Sequence, residues 1–192
     1  MWHNQGVPVT NASRRHHTGS RQIRERPPLD AEKLERLALH YVGRFATSRG
    51  KLATYLTRKV RERGWAGEPP DLPAMVERFA ELGYVDDRAF ADGRARSLSA
   101  RGLGKGRVRQ ALHAAGIGEA DAVSAHEIAD ESRWTAALRF AQKRRIGPWA
   151  VTLADRPGRE KAIGAMIRAG HDFAAARAIA SSAPGEVPED MA

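Results

Sequence analysis

The chain has 192 residues, 32 of them lysine or arginine against 23 aspartates and glutamates, a formal charge of +9 and no cysteine. The missing cysteine excludes disulfide frameworks, thiolate metal sites and cysteine nucleophiles, and the length suits one domain or a few small modules. A hydrophobic fraction of 42% with only 6% aromatic residues describes a globular protein without large aromatic surfaces. The sequence pI near 10.6 points to anionic partners such as nucleic acid, acidic protein surfaces or lipid head groups.

Residues 1–29 carry Arg14, Arg15, Arg21, Arg24 and Arg26 against Glu25. They lack the apolar run of a signal peptide and the amphipathic spacing of a transit peptide, so a disordered basic lead is expected. No stretch approaches the ~20 apolar residues of a membrane span. The expectation is a cytoplasmic chain with no membrane partner.

From residue 30 the apolar spacing is helical. Leu34, Leu37, Ala38, Tyr41, Val42 and Phe45 fall on one helix face, behind Asp30 as N-cap. Leu52, Tyr55, Leu56 and Val60 form a second stripe stopped by Gly64. A third stripe, Leu72, Met75, Val76, Phe79 and Leu82, opens at Asp71 with Pro73 in its first turn and closes at Gly83. The plan then recurs. Asp86 caps a helix bearing Phe90, Arg94 and Leu98, and a helix with Val108, Ala111, Leu112 and Ala115 ends at Gly116. A short helix follows over residues 119–128. A third round has Trp134, Ala137, Leu138 and Ala141, then Ala162, Ile163, Met166 and Ile167 up to Gly170, then Phe173, Ala176, Ile179 and Ala180.

The three second-helix exits, Arg63-Gly64-Trp65, Ala115-Gly116-Ile117 and Ala169-Gly170-His171, align as glycine C-caps followed by a bulky plug, with His171 the poorest apolar plug. Charge alternates in step. Residues 44–67, 94–118 and 133–154 are basic, residues 68–93 and 119–132 are acidic, and the period is about fifty residues. The fold expected is all-α: tandem three-helix repeats at 30–85, 86–131 and 132–182, stacked into an elongated, curved rod with shared cores, and a disordered tail at 183–192. Phe79, Leu82, Tyr84 and Phe90 are expected to form core between the first two units.

Catalytic motifs are weak. His126-Glu127 with Asp130 approximates a zinc-protease pattern but lacks a third ligand. Asp86-Asp87 reads as helix capping rather than a paired-acid site. Gly102-Leu103-Gly104-Lys105-Gly106 has no preceding strand and no following Ser or Thr, which excludes a nucleotide P-loop. Two readings stay open for it: backbone N–H groups and Lys105 near a nucleic-acid phosphate, or a flexible basic connector. No enzyme activity, metal or cofactor is expected.

The basic clusters carry the functional signal. Arg94, Arg96, Arg101, Lys105, Arg107 and Arg109 stand without an acid among them; Arg58, Lys59, Arg61 and Arg63 crowd the end of the second helix, and Lys143, Arg144 and Arg145 recur in the third unit. A basic run in every module of a rod suits phosphate-backbone or acidic-filament binding. Sparse aromatics argue for sequence-independent contact rather than base stacking.

Leu82-Gly83-Tyr84-Val85-Asp86-Asp87-Arg88-Ala89-Phe90-Ala91, followed by Gly104-Lys105-Gly106 and a basic helix from Arg107 to Leu112, resembles the central signature of the RecX family of regulatory proteins. Leu82, Gly83, Tyr84, Asp86, Asp87 and Phe90 carry that signature. Gly170-His171 departs from the family's Gly-Phe, and Arg88-Ala89 from its usual order before the phenylalanine. The resemblance implies three tandem three-helix repeats and a cytoplasmic monomer that binds the RecA recombinase filament and single-stranded DNA, with double-stranded DNA as a further partner. It also implies modulation, most often inhibition, of recombinase, ATPase and co-protease activity. An autonomous DNA-binding protein, sequence-independent or helix-turn-helix, is the alternative, against which residues 108–115 offer few Asn or Gln base readers.

Overall fold

Local capping chemistry sets most helix starts in the computed structural model, which describes residues 27–190. The described residues form nine α-helices: α1 Ala31–Val42, α2 Arg49–Arg63, α3 Leu72–Glu81, α4 Asp87–Ala100, α5 Lys105–Ala114, α6 Glu119–Glu131, α7 Arg133–Arg144, α8 Arg156–Arg168 and α9 Phe173–Ser181. A short 3-10 turn at Gly147–Trp149 lies between α7 and α8. The Asp30, Ser48, Asp71, Asp86, Asp155 and Asp172 side chains each accept a backbone N–H from the first turn of their helices. Three three-helix repeats, α1–α3, α4–α6 and α7–α9, make up the described residues. The all-α tandem architecture is therefore the observed one.

Four of the exits share one rule. After α3, Tyr84 N–H donates to Phe79 O at 2.9 Å and Gly83 N–H to Ala80 O at 2.9 Å, the paired bonds of a Schellman cap. The same pairs recur at Gly102-Leu103, Gly116-Ile117 and Gly170-His171. The first second-helix exit differs from its two counterparts. Gly64 (ψ 172°) leads into extended backbone, and its carbonyl accepts the Leu29 N–H at 3.0 Å.

This pairing revises both tails. Leu29 is fully buried, and its carbonyl accepts the Ala66 N–H at 2.8 Å, so the expected disordered lead gives way to built structure by Leu29; residues 1–26 lie outside the described residues. At the other end, Gly185 N–H donates to Pro148 O at 2.8 Å, and Arg133 holds both oxygens of Asp190 at 3.0 Å. Residues 183–190 are thus tied to the third repeat, and the expected tail is corrected to a strap; residues 191–192 lie outside the described residues.

Two packing expectations are also corrected. Leu82 is 63% and Tyr84 52% exposed, while Val85 is buried. The cap explains the difference: Gly83 turns the chain at φ 76°, Tyr84 lies over Phe79 at the surface with ring centroids 5.6 Å apart, and Val85 takes the inward place. Phe90 is half-buried beneath the Lys51 ammonium, 5.9 Å from its ring centre.

The cores, moreover, are not shared. Leu34, Leu52, Leu56 and Phe79 anchor one cluster, Leu98, Val108, Leu112 and the alanines of α4 and α6 a second, and Met166, Ile179 and the alanines of α7 and α9 a third. Each repeat buries its own apolar face.

What joins the repeats is polar and close. Ser48, wholly buried at the start of α2, donates to Ala115 O at 2.6 Å. A Cβ on Gly50 would stand 2.8 Å from that same oxygen. Asp87 does not cap its own helix: it is buried and accepts the Arg49 N–H at 2.8 Å, capping α2 from the neighbouring repeat. At the second junction Gly104 N–H donates to Ala169 O at 2.9 Å and Gly106 N–H to Gly170 O at 3.0 Å. The starts of α2 and α5 thus rest on the glycine exits of α5 and α8.

Because the Gly104 backbone is ordinary (φ −78°, ψ 170°) and a Cβ there would lie 2.3 Å from Gly170 O, Gly104→Ala should cost about 1–3 kcal/mol or more through steric overlap alone. Gly118→Ala, with open space around it, is the control. Equilibrium urea unfolding of both variants checks this; equal midpoints would refute a close-packed junction. In the same assay Phe79→Ala should cost ~3–5 kcal/mol, and Phe90→Ala clearly less than that.

Candidate nucleic-acid interface

Arg94 on α4 and Arg101, the C-cap of that helix, stand seven residues apart, two helical turns along one face. The turn through Gly102 brings α5 back alongside, so that Arg107 and Gln110 face them. The result is a groove of about 420 Å³ between α4 and α5, lined by Arg94, Arg101, Arg107 and Gln110 over an apolar floor that includes Leu98 and Leu103. No carboxylate lines it. Arg107 Nη1 donates to Gln110 Oε1 at 2.5 Å, which fixes the fork, and among the described residues Arg94, Arg101 and Arg107 make no ion pair. Lys143 of the third repeat donates to Arg101 O at 3.1 Å and Arg139 to Ala100 O at 3.0 Å. Both cations settle on the negative end of α4, adding charge beside the groove.

The rest of the central basic run goes elsewhere. Arg96 turns to Asp92, 3.8 Å away, and Lys105 pairs with Asp130 at 2.9 Å. Arg109 lies on the other flank of α5 in a cavity of about 400 Å³ that also holds His113, Glu119 and His126. The glycine–lysine loop is no phosphate cradle, because its Gly104 and Gly106 N–H groups are committed to the Ala169 and Gly170 carbonyls. It is a docked connector rather than a flexible one.

The outer clusters are partly absorbed as well. Arg58 and Lys59 flank Glu62 (3.8 and 2.7 Å) and lie over the Tyr55 ring. The neighbouring cations hold the Glu62 carboxyl below its usual range, Lys59 foremost through its hydrogen bond. Arg63 donates to Pro27 O at 2.9 Å, and Arg61 is exposed. Arg144 lies over Phe140, 5.8 Å from the ring centre, while Arg145 occupies the left-handed region at φ 54°. Among the described residues no three His, Cys, Asp or Glu side chains gather as a metal site, His126, Glu127 and Asp130 included.

Sequence reasoning missed Gln110 as a partner of the arginines, though the spacing of 94, 101, 107 and 110 across a tight turn carried the signal. It also read His171 only as a poor apolar plug. That residue is 7% exposed, with Nε2 3.2 Å from Gly102 O and its ring tilted on Phe140 at 5.4 Å. The plug is a hydrogen-bonding one, and it braces the loop between Arg101 and Arg107.

A family model for the second three-helix domain of RecX matches residues 86–125, the segment that holds this groove. A regulatory protein RecX from Myxococcus xanthus is 31% identical over 163 residues, covering 79% of this chain and 86% of the relative. The chain belongs to the RecX family. A RecX from Xanthomonas axonopodis pv. citri is 34% identical over 123 residues, 64% of this chain and 73% of the relative. The fold agrees with the crystal structure of RecX from Lactobacillus salivarius at TM-score 0.54, with 16% identity over 77% of this chain and 92% of that one. A second RecX crystal structure gives a TM-score of 0.55, at 21% identity over 78% of this chain and 70% of that one. Among the described residues no helix is long and apolar enough to cross a membrane.

Burial pushes the His171 imidazole below its ordinary value of 6.5, the Gly102 carbonyl and Asp172 offsetting only part of the effect. The native state therefore favours neutral His171. Its contribution is complete above the unfolded value and is lost as pH falls below 6.5. The urea midpoint should drop between about pH 8 and about pH 5 in wild type, and His171→Phe should flatten that drop. An equal drop in the variant would remove His171 as its source.

Proposed function

We propose that this RecX-family chain is a non-enzymatic regulator that binds along the RecA–DNA filament and restrains recombinase, ATPase and co-protease activity. The observation that carries the reading is the convergence of Arg94, Arg101 and Arg107 on one acid-free groove in the middle repeat. Guanidinium forks of this kind suit phosphate oxygens, and also carboxylates on an acidic protein surface. The apolar floor lacks aromatic rings, which favours binding to the backbone over base stacking. Repeats joined in a row present such surfaces to several filament subunits at once, so avidity replaces any need for a catalytic group. Exposed pairs such as Lys105–Asp130 contribute little to the fold, and that cation joins the binding surface when an anionic partner displaces the carboxylate.

The test compares wild type with a variant carrying Arg94→Ala, Arg101→Ala and Arg107→Ala. Binding to RecA-coated single strand should weaken, and the log–log salt dependence should flatten by about 2, at about 0.7 for each phosphate that is no longer neutralised. Inhibition of RecA-driven ATP hydrolysis and strand exchange should fall in parallel. If the triple variant inhibits as strongly as wild type at matched salt, the groove is not the binding surface. Binding to bare single strand and duplex, measured alongside, separates filament recognition from autonomous DNA binding.

A further inference from the structure

The exit of α7 shares the bonds of the four glycine caps but not their glycine. Ile146 N–H donates to Ala141 O at 2.9 Å and Arg145 N–H to Gln142 O at 3.2 Å, the Schellman pattern again. Yet the left-handed residue, glycine at positions 83, 102, 116 and 170, is here Arg145, at φ 54° and ψ 49°. Among the described residues it is the sole non-glycine with positive φ. A side chain with a Cβ is sterically disfavoured there, and glycine would relieve it. Such strain at an exposed cap points to a use for the side chain rather than to folding.

The surroundings supply that use. Arg145, Arg144 and Lys161 line a cleft of about 290 Å³ between the end of α7 and the start of α8. Its other walls are small and apolar, alanines for the most part, with Ile146 at the base and no carboxylate among them. Glu160, next to Lys161 in sequence, is turned to Arg156 at 3.0 Å. Among the described residues none of the three cations has an ion-pair partner. Three cations at the rim of an apolar hollow match a ligand that is anionic at one end and flat or apolar at the other.

We propose that this cleft is a second strand-binding site, which takes a phosphate of single-stranded DNA between Arg144, Arg145 and Lys161 with the attached nucleoside against the alanine floor. It rests on the reading that the chain binds nucleic acid, and it adds a binding point in the third repeat separate from the α4–α5 groove. Two separate binding points on one strand raise apparent affinity by effective concentration, with neither site needing to be tight. The alanine floor accepts any base, so the site contributes no sequence preference.

Fluorescence anisotropy of the full chain with labelled oligothymidine tests this. Arg145→Gly removes the guanidinium while relieving the backbone, so the variant should melt at or above the wild-type temperature. Combined with Lys161→Ala it should bind the strand roughly tenfold more weakly, with the log–log salt slope reduced by about 0.7, the share of the one phosphate no longer neutralised. An abasic strand of equal length should bind wild type more weakly than oligothymidine does, and the double variant should lose that distinction. Wild-type affinity and slope in the double variant, beside weakened binding in the Arg94, Arg101 and Arg107 variant, would overturn the cleft and leave the groove standing. No binding of any bare strand by wild type would overturn the cleft, whereas the groove is decided by binding to RecA-coated strand. Displacement of the strand by poly-glutamate at lower concentration than by unlabelled DNA would assign the cleft to an acidic protein partner and likewise overturn it.

Discussion

Helix ends carry orphaned donors at one terminus and orphaned acceptors at the other, and this protein joins its repeats by setting one against the other. The start of α5 donates the Gly104 and Gly106 N–H groups to the last carbonyls of α8, and the start of α2 meets the end of α5 through Ser48 and Ala115. Opposite ends of the helix dipoles face each other at both junctions. At the second helical position no Cβ fits between the two backbones: Gly50 and Gly106 stand there at the two joints, with neighbouring backbone 2.8 and 3.2 Å from where a Cβ would stand. At α8 that position is Pro157, whose ring cannot meet another helix end so closely. At the opposite end of the row, Leu29 takes the Gly64 carbonyl. The series follows from one interaction.

The arginine groove depends on the same joint. The α4–α5 turn is held from outside, by Gly170 beneath Gly104 and Gly106 and by His171 against Gly102. Arg101 and Arg107 therefore leave a rigid turn, one on each side, and converge without an acid to neutralise them. Lys143 and Arg139 reach across from the third repeat to carbonyls at the end of α4, so the electrostatics of the middle repeat include its neighbour. Charge at this surface is a property of two repeats together.

The repeats also separate two tasks. Apolar burial is settled inside each repeat, by Phe79 and the leucines in the first and largely by alanine in the other two. Relative placement is settled by hydrogen bonds and buried polar groups such as Ser48 and Asp87. Polar junctions of this kind are orientation-specific, because an unpaired buried donor is costly, whereas alanine faces alone would tolerate sliding.

Periodicity, caps and glycine stops were enough to place the helices, because each is decided within a few residues by backbone hydrogen bonding and side-chain spacing. The family signature was legible too, and so was the basic character of every module. What the signature residues do was not. Tyr84 and Leu82 read as core from their apolar character but sit on a cap whose geometry turns them outward, and Asp87 read as a local cap but serves the preceding repeat. The basic run was legible as a run, yet only packing separates Arg94, Arg101 and Arg107, left unpaired over one groove, from Arg96 and Lys105, which meet Asp92 and Asp130. The physical reason is range. Helix formation is local and leaves its mark in neighbouring residues, while which charge faces a carboxylate and which faces solvent is fixed by packing between segments far apart in the chain.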